Sequence, residues 1–164
     1  PRELELPEDG VLRIKPLKEL ESLRYDEIAL EDETISKGSN LLLDKIEGDA
    51  VEFEIVFEAP LSKEFGINML GDEQGNEELN ITYGKGQKEL HIGKINPPFE
   101  LQDGEDLTLR IFIDKNLVEV FANDRQAAVG SHARIRKNPN IQIFTKDKDL
   151  IVKEIHAWKM KSIY

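Results

Sequence analysis

The chain has 164 residues, with 33 acidic against 22 basic side chains and a net charge of −11. Such a surface repels a phosphate backbone or an anionic membrane, which attract clustered Lys and Arg, so neither nucleic acid nor a membrane is expected as a partner. The absence of cysteine excludes disulfides and thiolate chemistry and leaves the cellular compartment open. A hydrophobic share of 39% suffices for one packed domain, and no apolar run approaches the roughly twenty residues of a membrane helix.

In chain order, Pro1 to Gly10 is acidic and holds two prolines and a glycine, which reads as a connector over residues 1–10 leading into a single domain over 11–164. No leader peptide is recognisable, and Pro1 reads as the cut end of a longer polypeptide. Val11 to Ile14 is expected to be a short strand. Leu17, Leu20 and Leu23 follow Pro16 at a spacing of three with charges between, which predicts one or two turns of helix, the only helical signal in the chain. Tyr25 to Leu30 reads as strand, and Glu31-Asp32-Glu33 as an exposed turn or edge. Leu41 to Leu43 reads as a buried strand.

Ala50 to Phe57 alternates cleanly. Val51, Phe53, Ile55 and Phe57 fall on one face, with Glu52 and Glu54 on a face meeting water or a partner. Phe65 to Met69, Leu79 to Tyr83 and Leu90 to Ile92 continue as strands, with turns at Gly71 to Asn76 and Gly84 to Gly86. Asn96-Pro97-Pro98 interrupts pairing, because proline cannot donate to a ladder. Leu107 to Val129 (LTLRIFIDKNLVEVFANDRQAAV) predicts three antiparallel strands. Their turns lie at Asp114-Lys115-Asn116 and at Asn123-Asp124, residues that tolerate a left-handed backbone. Ile141 to Phe144 and Leu150 to Trp158 complete the set. Many short strands with almost no helix predict an all-β sandwich or barrel.

The string LRIFIDKNLVEVFAN, the opening PRELELPEDGVLRIKPLKELESLR and the ending IHAWKMKSIY resemble, in the same order, the C-terminal domain of glycoside hydrolase family 32, the invertases, inulinases and levanases. The resemblance covers nearly the whole chain. It implies a two-sheet antiparallel β-sandwich of concanavalin-A-like, jelly-roll type, attached to a catalytic five-bladed β-propeller that hydrolyses β-fructofuranosides with retention. The partners it implies are that propeller and, at the boundary, fructan or sucrose. The family's catalytic motifs, of Asn-Asp-Pro-Asn-Gly, Arg-Asp-Pro and Glu-Cys type, are absent here. Asn138-Pro139-Asn140 echoes only part of the first. No catalytic residue is therefore carried over, no cofactor is implied, and the isolated chain is expected to be inert. Where relatives carry Val-Asp-Arg, this chain reads His91-Ile92-Gly93-Lys94, which removes whatever contact that pair makes.

Three residues stand out as candidate interface or sugar contacts. Glu119 lies inside an apolar strand, on one face with Leu117 and Phe121. It reads either as a group that hydrogen-bonds a sugar hydroxyl or the propeller, or as a carboxylate on a partly buried sheet face, paired to a cross-strand Arg or Lys such as Arg110. Trp158, with Tyr83 and Tyr25, reads either as a stacking platform for sugar or, for Trp158, as packing between the sheets. His91, His132 and His156 lack metal-ligand spacing, and Gly71 to Asn76 reads as a hairpin turn rather than a calcium loop. Two further readings of the whole domain stay open: a lectin-like carbohydrate-binding module, and a module joining copies into a homo-oligomer.

Overall fold

The structure, a computed structural model, describes residues 1–71, 79–84, 86, 88–132 and 140–162. The residues of the turn expected after Gly71, the residue between Gly84 and Gly86, and the pair Asn138-Pro139 lie outside the described residues. The strands are β1 (Arg2–Glu5), β2 (Arg13–Pro16), β3 (Arg24–Ile35), β4 (Asn40–Leu43), β5 (Ala50–Phe57), β6 (Phe65–Met69), β7 (Leu79–Gly84), β8 (Glu89–Ile92), β9 (Leu107–Asp114), β10 (Leu117–Ala122), β11 (Gln126–Ser131), β12 (Ile141–Thr145) and β13 (Leu150–Met160). A 3-10 helix at Lys18–Leu23 is the one helical element among the described residues. Its three-residue turn matches the spacing of Leu17, Leu20 and Leu23.

Two antiparallel sheets form the sandwich. One has six strands in the order β11-β10-β9-β5-β13-β3, the other five in the order β4-β12-β6-β7-β8. The chain crosses between them repeatedly, so neighbours within a sheet are often distant in sequence, as a jelly roll requires. The period-two pattern explains why they stack. Val51, Phe53, Ile55 and Phe57 of β5 and Leu107, Leu109, Ile111 and Ile113 of β9 are buried against Ile67, Met69, Ile81, Leu90, Ile92, Ile141 and Ile143 of the other sheet. Each such side chain contributes about 1.5–3 kcal/mol by leaving water.

The strands over Ala50–Phe57, Phe65–Met69 and Leu117–Ala122 have the bounds the alternation predicts. The hairpin turn after β10 has φ 45° at Asn123 and 53° at Asp124, the left-handed geometry that these residue types tolerate.

Several expectations are corrected. The connector contains a strand, since Arg2–Glu5 pairs with Arg13–Pro16 as a separate two-stranded hairpin. The strand expected at Val11 to Ile14 therefore begins later, and Val11 and Leu12 are exposed in the loop before it. At Glu31-Asp32-Glu33, expected as an exposed turn or edge, the edge is what forms: β3 runs on through them as the edge strand of its sheet, where acidic side chains reach water and Asp32 adopts a φ of 54°. Strand β4 is the edge of the other sheet, so Leu42 is exposed rather than buried.

Candidate functional site

The side of the six-stranded sheet that faces away from the core carries all three singled-out residues. Successive side chains of a strand point to opposite faces, so Glu52 and Glu54 of β5, Arg110 and Phe112 of β9, Glu119 and Phe121 of β10, and Trp158 of β13 share it. Trp158 pairs with Glu52 in register while its neighbour Ala157 sits in the core, so the indole does not pack between the sheets. It lies parallel to His156, with centroids 5.5 Å apart and an interplanar angle of 7°. The Arg24 guanidinium also lies over the indole, 3.9 Å from the ring centroid.

Glu52 is the centre of this face and is fully buried, against the expectation of a solvent-facing residue. Arg24 donates to it twice, Nε to Oε2 at 2.9 Å and Nη2 to Oε1 at 2.7 Å, and Arg110 donates from Nε to Oε1 at 2.6 Å. Glu52 holds the Arg24 guanidinium above its ordinary value, chiefly through these hydrogen bonds. The 3-10 helix brings Glu21 within 3.9 Å of Arg110 Nη2, a buried nitrogen with no hydrogen-bond acceptor.

Glu119 is paired with an arginine, but with Arg2, whose Nε donates to it at 2.6 Å, rather than with Arg110. Arg110 sits opposite Phe121 in register and is drawn to Glu52 instead. The Arg2–Glu119 pair and the Ile14 N–H donated to the Asp124 carbonyl tie the β1–β2 hairpin to the sheet. Phe121, on this outer face, is nonetheless 1% exposed, sheltered beside Arg2 and edge-on to Phe112. Sequence reasoning missed Arg2, Arg24 and Glu52. Regular alternation put Glu52 on the outer face but carried no signal of its burial.

Beside Arg110 a cavity of about 300 Å³ is lined by Glu54, Glu105, Thr108, Phe121 and Asn123 among others. Of the carboxylates that line it, Glu105 is a poor proton donor. Glu105 accepts two hydrogen bonds from Arg125, at 2.6 and 2.8 Å, which pull its pKa down to about 2. The neighbouring Asp106 is also lowered, by Lys153 and the Ala59 N–H. A glycosidase general acid needs the opposite, a carboxyl kept protonated by a raised pKa. Among the described residues no three His, Asp or Glu side chains converge as a metal site requires. Tyr83 is a core residue whose hydroxyl accepts the Leu101 N–H, not a sugar platform, whereas Tyr25 lies exposed on edge strand β3.

The described elements, a jelly-roll sandwich fronted by an N-terminal hairpin, agree with the match of residues 19–159 to the family model "Glycosyl hydrolases family 32 C terminal". The chain belongs to that family. It is 27% identical, over its full length, to a levanase of Bacillus subtilis (strain 168), and spans 27% of that protein. Its fold matches the sucrose-6-phosphate hydrolase of Lactobacillus gasseri with a TM-score of 0.73 at 25% identity, covering 99% of this chain and 33% of the other. Fructan 1-exohydrolase IIa of Cichorium intybus, at 16% identity and a TM-score of 0.73, shares the fold over 99% of this chain and 40% of its own. This family 32 chain thus spans between about a quarter and two-fifths of the relatives it matches, and corresponds to their C-terminal domain.

Proposed function

We propose that the chain is a non-catalytic module that docks on, and stabilises, the catalytic β-propeller of a polypeptide hydrolysing β-fructofuranosides. The observation that carries this is the β1–β2 hairpin, which displays Leu4 and Leu6, 65% and 69% exposed, with Val11 and Leu12 also open to solvent. Large apolar side chains clustered on one exposed hairpin mark a surface that another folded body covers. The hairpin is pinned to the sandwich by Arg2–Glu119, so it presents this patch at a set angle. Residues 1–10 then act as a docking element rather than a slack connector, and binding a folded neighbour stabilises both by mass action. Glu119, Arg110 and Trp158 support the docking face from within and touch sugar only through whatever covers them.

The test compares amide hydrogen exchange of residues 2–16 in the 164-residue chain and in the same chain joined to a family 32 propeller. Strong protection of these amides only in the joined protein is expected. Equal exchange in both would sink the reading. A homo-oligomer through the exposed Leu117 and Val129 near the β11 edge is the second reading, and light scattering over a range of concentrations tests it.

A further inference from the structure

We infer that the outer face of the five-stranded sheet, on the opposite side of the sandwich from the six-stranded sheet that holds the docking hairpin, carries a groove for a neutral saccharide centred on Phe144, Asn80 and Thr82. Register places Phe144, Gly66, Thr82 and His91 in one row across β12, β6, β7 and β8. Gln142, Asn68 and Asn80 form the row beside it. Sheet faces turned to water are normally covered by long charged side chains, but the centre of this one is an aromatic ring, amides, a hydroxyl and an imidazole.

Gly66 shows how closely the parts fit. A Cβ there would lie 2.4 Å from the Ile81 carbonyl oxygen, 2.6 Å from Thr82 Cγ2 and 3.2 Å from Phe144 Cε1. The Phe144 ring therefore occupies the space that a side chain at 66 would take, and lies across β6 towards Thr82. Asn80 donates from Nδ2 to Asn68 Oδ1 at 2.6 Å, which orients its amide. His91 is held through Nδ1 by the Asn96 side chain at 3.0 Å.

The resulting cavity measures about 460 Å³, within the range of about 300–1,000 Å³ usual for small-molecule sites. Its charged residues, Lys63, Glu64 and Lys146, are exposed and gathered at one end, where Lys146 N–H bonds the Glu64 carbonyl. Lys146 Nζ reaches over the Phe144 ring, 5.8 Å from its centroid, and the other side chains of the middle are the amide of Asn80, the hydroxyl of Thr82 and the imidazole of His91.

That distribution selects the ligand class. A neutral sugar ring has a C–H face that rests on the electron-rich face of an aromatic ring, and hydroxyls that both donate and accept. An amide supplies a donor and an acceptor on one side chain, and Thr adds another hydroxyl.

The groove and the hairpin lie on different sheets, so either reading can fail while the other stands. Nuclear magnetic resonance titration of the ¹⁵N-labelled 164-residue chain with 1-kestose and, separately, with maltotriose, each to about 20 mM, tests the groove at the weak affinities expected of a shallow site. Saturable shifts confined to amides of β6, β7, β8 and β12 are expected with at least one sugar, and the two arms tell a fructosyl from a glucosyl chain. Phe144→Ala should weaken that binding at least tenfold, and Phe144→Tyr should preserve it. Phe144 lies outside the core. Should Phe144→Ala nonetheless fail to fold by circular dichroism, Asn80→Ala serves as the second variant with the same expected loss. No shift with either sugar, shifts on the six-stranded sheet, or affinity untouched by these substitutions would overturn the inference.

Discussion

Glu52 shows how much one carboxylate can depend on two cations. It is fully buried, and its charge is offset by Arg24 and Arg110 through three hydrogen bonds. Removing one member of such a cluster leaves uncompensated charge, so Glu52→Ala should lower the unfolding free energy in urea by about 3–5 kcal/mol. The Arg2–Glu119 pair is partly exposed, and Glu119→Gln should cost no more than about 1 kcal/mol in the isolated chain. Glu105 supplies a pH dependence with a definite sign. Its pKa is depressed from 4.5 to about 2 by Arg125, so its contribution to stability is fully present above the unfolded value and is lost as pH falls towards 2. Glu105→Gln should therefore destabilise the chain by about 1–2 kcal/mol at pH 7, after allowance for solvent screening, and the gap between variant and parent should close near pH 2 in thermal melts.

The hairpins and sheets are set by a few backbone requirements. The β9–β10 and β10–β11 pairings need tight returns, and at Asn123 the side chain does more than tolerate φ 45°. Its Oδ1 accepts the Thr108 N–H at 2.8 Å, and its Nδ2 donates to Glu105 and to the Asp106 carbonyl. Asn123→Gly would keep the turn geometry and lose those bonds, so a loss of about 1–3 kcal/mol in denaturant melts separates the two roles. At Gly66 the constraint is space, since a Cβ would strike the Ile81 carbonyl of the neighbouring strand. Gly66→Ala should disrupt β6–β7 pairing and cost about 3 kcal/mol or more, a loss measurable as a fall in the urea midpoint.

At the scale of the whole molecule, the described residues form thirteen strands in two packed sheets and a hairpin that projects exposed apolar side chains. Leu4, Leu6, Val11 and Leu12 lie on that projection, which is why the docking reading is placed there and not on the charged strip around Glu52. The net charge of −11 adds a general repulsion between parts of the folded chain. Added sodium chloride to about 0.5 M should raise the melting temperature through screening. The Glu52→Ala penalty should survive in that salt, because a buried cluster is screened far less than a surface pair.

The amino-acid order by itself determined the all-β class, the bounds of β5, β6 and β10, the Asn123-Asp124 turn and the family, because period-two burial and turn chemistry act over a few neighbouring residues. Alternation correctly sent Glu52, Glu119, Arg110 and Phe121 away from the core, and there its information ended. Which of these would be buried again depended on Arg24, 28 residues from Glu52, and on Arg2, 117 residues from Glu119. Such pairings are decided by sheet order and by the hairpin folding back over the outer face, and no local pattern encodes them. The outward placement of Trp158 and the closeness of the Phe144 ring to Gly66 are of the same kind. They follow from which strands become neighbours, and only the assembled sandwich decides that.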